Sequence, residues 1–142
     1  MTKVIDASNR VIGRLASEVA QEALDGEEVR VVNSEEAVIS GDEEQVFEDY
    51  RQRVERGSRD FGPHYPKRPD KILKRTIRDM LPYKDERGKE AFSRVKTYLE
   101  VPRDFEGEVE ESDAKSGDDL KRRNYVKLGE VSKHVGWEPV NG

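Results

Sequence analysis

A chain of 142 residues, 33% hydrophobic and 40% charged, fits one domain with a lean core and a strongly ionic surface; 31 Asp plus Glu against 26 Lys plus Arg leave it at net −5. With no cysteine, disulfides and thiolate metal sites are excluded, and any metal would fall to carboxylates and two histidines. The stretch MTKVIDASNR has no signal-peptide h-region and apolar runs are only a few residues long, so a soluble intracellular protein is expected.

Val4-Ile5 is short and β-prone, and Asp6 to Asn9 supply turn chemistry before a helical pattern. Val11, Ile12, Leu15, Val19, Ala23 and Leu24 recur at spacings of three and four, with Gly26 where a helix-ending glycine belongs. VRVVN at 29–33 is a nearly continuous apolar run, as in a covered strand, so a βαβ unit is expected. AVIS at 37–40 predicts another short strand. DEEQVFEDYRQRVERG then predicts a helix whose apolar face is Val46, Phe47, Tyr50 and Val54. Its acids gather at the start and its arginines, Arg51, Arg53 and Arg56, at the end. A helix dipole favours that gradient, and so would a polyanion beside the C-terminal end.

Gly62, Pro63, Pro66 and Pro69 make 57–69 a stiff, irregular loop, and Pro69 suits the first position of the next helix. At about 100° per residue, Thr76, Met80, Leu73, Ile77 and Leu81 join Ile72 on one side of that helix, while Lys71, Lys74, Arg75 and Arg78 share the other. Like charges at i, i+4 weaken a helix, so four cations on one face point to an anionic partner. Pro82 stops this pattern. Ala91, Phe92 and Val95 mark another helix, and KTYLEV a strand. DFEGEVEESDAKSGDD, residues 104–119, is expected to be an acidic linker. YVKLGEVSKHVGWEPVNG is expected to end the chain with a short docked helix.

Charge is divided in blocks: residues 1–50 carry net −9, 51–103 net +8 and 104–142 net −4. Phe61, His64 and Tyr65 interleave with Arg59, Lys67 and Arg68 in the stiff loop, which joins cations to planar rings as RNA recognition requires; ring anchorage to the core is the competing use. Catalytic chemistry has little support, since two isolated histidines come with no G-x-S-x-G or H-E-x-x-H arrangement. RVIGRL has one glycine rather than the set a dinucleotide needs, and the acidic clusters lack EF-hand spacing, so neither cofactor nor metal is expected.

VIDASNRVIGRLAS at 4–17, VRVVNSEEAVISG at 29–41, RGSRDFGPHYPKRPDKI at 56–72, RTIRDMLPYKDERGKEAFSRVKTYLEVP at 75–102 and LGEVSKHVGW at 128–137 resemble, in order, the archaeal branch of the L-thirteen family of large-subunit ribosomal proteins. The resemblance implies a three-layer α/β/α domain with a small, mainly parallel sheet, in contact with large-subunit ribosomal RNA and neighbouring ribosomal proteins in the cytoplasm, and without enzymatic activity. It also implies that Arg75, Arg78, Met80, Leu81, Pro82, Gly88 and Lys89 belong to the family's basic helix and the loop after it. Asp79 and Glu100 depart from the residues usual there. Net acidity in such a family suggests adaptation to the salt of an extreme halophile, where screening shortens to about 3 Å at 1 M.

The expected organisation is an α/β core over 1–103 with its RNA-facing part at 51–103, an acidic linker at 104–125 and a docked helical segment at 126–142. The expected RNA-binding residues are Arg53, Arg56, Arg59, His64, Tyr65, Lys67, Arg68, Lys71, Lys74, Arg75, Arg78, Lys84, Arg87 and Lys89, with Arg14 beside them. Competing functions are a small nucleotide-binding α/β enzyme and an adaptor whose basic face meets an acidic protein.

Overall fold

Residues 2–32 form the expected βαβ unit. The computed structural model describes residues 2–57, 66–82, 84–111 and 124–139. Strand β1 (Thr2–Asp6), helix α1 (Ile12–Leu24) and strand β2 (Glu28–Val32) lead the chain, with β1 and β2 parallel and Val4 opposite Arg30. After a 3-10 turn at Ser34–Glu36 come β3 (Val38–Ser40), α2 (Glu43–Gly57), α3 (Pro69–Asp79), α4 (Glu86–Ser93) and β4 (Val95–Thr97). A second 3-10 turn, Arg103–Phe105, precedes β5 (Val109–Glu111), β6 (Tyr125–Lys127) and α5 (Leu128–His134).

The main sheet runs β4-β2-β1-β5, each pair parallel, and β3 pairs antiparallel with β6. Side chains alternate across a strand, so Ile5, Val29, Val31 and Val95 share one face; they join Leu15, Val19 and Ala23 of α1 and Ile72, Leu73 and Ile77 of α3 in the main core. On the other face Val4 and Val32 are only 3% and 0% exposed. A strand covered on both faces is mostly apolar, which is why VRVV reads as a nearly continuous apolar run that only Arg30 interrupts.

Helix α1 ends as its glycine predicts. Gly26 takes φ +97°, its N–H reaches Ala23 O at 3.1 Å, and that of Glu27 reaches Glu22 O. Arg94 Nη1 donates to Ala23 O at 2.9 Å and so caps the negative end of α1.

Met80 departs from its expected buried place and is 45% exposed. The helix stops at Asp79, and Met80 N closes a tight last turn onto Ile77 O at 3.0 Å; beyond it the 100° step no longer applies, and Leu81 fills the core instead. Residues 109–111, within the segment expected to be linker, form β5, with Val109 opposite Val4.

The C-terminal segment returns to the core through β6. Leu128 N donates to Ala37 O at 2.8 Å, and Leu128 and Val131 are fully buried. Gly129 permits this approach, because a Cβ there would come within 3.2 Å of the Glu35 carbonyl oxygen.

Candidate nucleic-acid interface

Helix α3 begins at Pro69, whose missing N–H costs nothing in a first turn, and Asp70 follows it. The carboxylate of Asp70 is buried and is held by the Arg68 fork, Nε at 2.8 Å and Nη2 at 2.9 Å. Thr97 Oγ1 donates to Asp70 O at 2.8 Å, which pins the first turn of α3 to the edge strand β4. With Ile72, Leu73 and Ile77 locked in the core, the rotation of the helix is fixed and its cations must lie on the opposite side.

Lys71 is exposed there. Lys74 is half-buried, its Nζ 5.0 Å from the centre of the Phe92 ring, close enough for a cation–π contact. Burial first, then the charges of Lys71, Lys96 and Arg30, push the Lys74 ammonium below its ordinary pKa, with Asp70 opposing them. Arg75 and Arg78 are also partly covered, and Arg75 Nε lies 3.9 Å from Asp79 Oδ1. Asp79, one of the two departures from the family pattern, therefore faces a cation on its own helix.

The other expected contacts are spread more widely. Lys84, Arg87 and Lys89 are exposed just past Pro82 and on α4. Lys67 instead runs beside the turn after α5, within 3.5 Å of where a Gly136 Cβ would stand. Arg53 lies over the Tyr50 ring at 4.5 Å, and Arg14 is exposed on α1. Arg59, His64 and Tyr65, together with the side chain of Arg56, lie outside the described residues. His134 stacks on Phe47, with centroids 4.3 Å apart and planes at 11°, a packing contact between α5 and α2.

Pattern reading left Arg30 and Lys96 out of the candidate set. The parallel register places them opposite one another on β2 and β4, on the sheet face turned away from Val29, Val31 and Val95. No local signal joins residues that far apart in sequence.

The class defined by this arrangement is a small α/β domain with one strongly cationic surface. The family described as Ribosomal protein L13 matches residues 1–104. Among similar proteins, the large ribosomal subunit protein uL13 of Haloarcula marismortui is 53% identical over 133 residues, covering 94% of this chain and 90% of the relative. Its namesakes from Methanosarcina barkeri and Archaeoglobus fulgidus are 49% identical over 138 residues and 44% over 139, covering 94% and 96% of this chain and 96% and 89% of the relatives. The chain belongs to the L13 family of ribosomal proteins, a structural and non-enzymatic family of the large subunit. Among the described residues, no helix is long and apolar enough to cross a membrane.

Proposed function

We propose that this protein binds large-subunit ribosomal RNA through the cationic side of α3 and the basic positions around it, and thereby supports subunit assembly and translation in the cytoplasmic ribosome alongside neighbouring large-subunit proteins. The observation that carries the reading is the fixed rotation of α3: its apolar side is locked in the core, so Lys71, Lys74, Arg75 and Arg78 lie together on the other side. Phosphates reward such a surface through counterion release. Lys71, Lys74, Arg75 and Arg78 meet phosphates; Arg53, Arg56, Arg59, Lys67 and Arg68 extend that track, His64 and Tyr65 stack or hydrogen-bond, Lys84, Arg87 and Lys89 continue it past Pro82, and Arg14 is a further candidate. Acid elsewhere on the chain keeps solvent-facing surface hydrated in concentrated salt.

The test replaces Lys74, Arg75 and Arg78 together by Glu in the full chain and measures binding to large-subunit RNA fragments at several salt concentrations, together with incorporation into large subunits. Loss of both is expected. Intact incorporation overturns the reading, as does saturable ATP or NAD binding by a chain that ignores RNA; capture of an acidic protein by the same face, with RNA ignored, assigns the adaptor role instead.

A further inference from the structure

Helix α3 ends in a corner that hydrogen bonds hold at both sides. Met80 N donates to Ile77 O at 3.0 Å and Leu81 N to Arg78 O at 3.1 Å; Asp85 N then reaches Pro82 O at 2.9 Å, and Lys89 N reaches Asp85 O at 3.0 Å as α4 begins. Leu81 anchors the corner in the core at 4% exposure, while Met80 beside it is 45% exposed. Among the described residues, Met80 and Tyr125 are the large apolar side chains left in solvent. Directly after Met80 in the chain, Leu81, Pro82, Lys84 and Asp85 line a hollow of about 190 Å3.

A single exposed methionine is ordinary on a protein surface. The groups around this one are not ordinary. Asp85 stands at the N-cap of α4 with the extended backbone that capping requires, φ −89° and ψ 154°, yet its side chain makes no capping hydrogen bond. Lys84, which lines the hollow, and Arg87 and Lys89 on α4 are exposed and form no ion pair with any described residue. The hollow is smaller than the roughly 300–1,000 Å3 pockets that enclose drug-sized molecules, and it suits one planar ring system. An apolar side chain of a neighbouring protein would also fit, but unmatched cations favour an occupant that brings negative charge with it. A nucleotide has both parts, a flat base and a phosphate.

We propose that the corner between α3 and α4 holds one unpaired base of large-subunit RNA, with the Met80 thioether against the face of the base, Leu81 and Pro82 beneath it, Asp85 accepting from its exocyclic amino group and Lys84 beside its phosphate. This rests on the RNA-binding reading and adds a base contact to a surface whose α3 cations address phosphates alone. Phosphate contacts position an RNA, whereas sequence is read from bases splayed out of loops and bulges. A thioether is soft and polarizable and packs well against a ring. Uracil has no exocyclic amino group and is therefore expected to bind less well than cytosine.

The chain has two methionines, Met1 and Met80, so isotope labelling of the methionine methyl groups gives a Met80 NMR signal that Met80→Leu assigns. Titration of the full chain with large-subunit RNA fragments is expected to move that signal upfield, as the ring current of a stacked base does. Met80→Ala leaves the core intact because the side chain is exposed. It is expected to weaken RNA binding about two- to tenfold, the scale of a sulfur–ring contact. The slope of log K against log salt stays unchanged, since no charge is lost. The parent chain is expected to prefer oligocytidylate to oligouridylate, and Asp85→Ala to level the two.

A Met80 signal that stays still in an RNA complex, with binding still abolished by charge reversal of Lys74, Arg75 and Arg78, overturns the base subsite and leaves the RNA-binding reading standing. Unchanged affinity in Met80→Ala, or equal binding of the two oligonucleotides by the parent chain, also overturns the subsite alone. A still signal together with binding that survives the charge reversal overturns both. A Met80 methyl indifferent to RNA but covered in the assembled subunit assigns the corner to a neighbouring protein, which likewise overturns the proposal.

Discussion

Two charged surfaces of this domain are built by opposite rules. In the cleft of about 460 Å3 between the 3-10 turn at 34–36 and α5, charges are matched in place: Lys127 Nζ meets Glu36 at 2.7 Å, Lys133 lies 3.7 Å from Glu130, and the Glu100 N–H donates to both carboxylate oxygens of Glu35. On α3, Lys71, Lys74, Arg75 and Arg78 share one side, and burial first, then neighbouring positive charge, holds the Lys74 ammonium below its ordinary pKa. Matched charge needs no visitor. Crowded like charge is a standing cost that an anion removes, so its placement separates an interface from ordinary ionic surface.

The largest way to sharpen that comparison is to reverse Lys74, Arg75 and Arg78. RNA affinity is expected to fall at least a hundredfold near 0.1 M salt and the salt slope to flatten by about two to three units, whereas breaking the matched pair with Lys127→Ala leaves both unchanged. A fluorescence titration of the two variants side by side checks this.

Packing under the cleft gives the next effect. Leu128→Ala removes a fully buried side chain that seats α5, and chemical denaturation should show a loss of about 2–5 kcal/mol with RNA affinity retained under folding conditions.

Asp6 supplies a smaller and pH-dependent effect. Burial alone would raise its pKa, but hydrogen bonds from Asn33 Nδ2 and the Ser8 N–H, with Arg10 nearby, outweigh burial and hold it below the ordinary value. A depressed carboxyl contributes stability above its unfolded pKa and loses it as pH falls through the folded one. Asp6→Asn is therefore expected to cost about 1 kcal/mol near neutral pH, with the gap from the parent closing as pH drops below the ordinary carboxylate range, as thermal melts across pH would show.

Smallest is Glu100→Gly. Glu100 sits at φ +52°, a conformation that favours glycine, so the change should stabilise by roughly 0.5–1 kcal/mol while the backbone bond to Glu35 persists.

Local periodicity made much of this legible. The apolar spacing in α1, the nearly continuous apolar run of β2 and the two-sided pattern of α3 each follow from one element's geometry, and the structure has all three. What escaped depends on pairing between distant segments. Arg30 and Lys96 become neighbours only through the β2–β4 register, and Arg94 becomes a cap only because β4 begins beside the end of α1. β5 is three residues of an acidic stretch with a single valine, too short for a period-two signal. Met80 shows the complementary failure, where a correct helical angle was carried past the last helical residue.

The most direct test of the account is chemical labelling of the assembled large subunit against the free chain, reading lysines and carboxylates separately by mass spectrometry. Lys71 and Lys89 are expected to lose reactivity on assembly while Glu43 and Glu44, exposed on α2, keep theirs. Lysines that stay fully reactive while the α2 carboxylates become protected would contradict it.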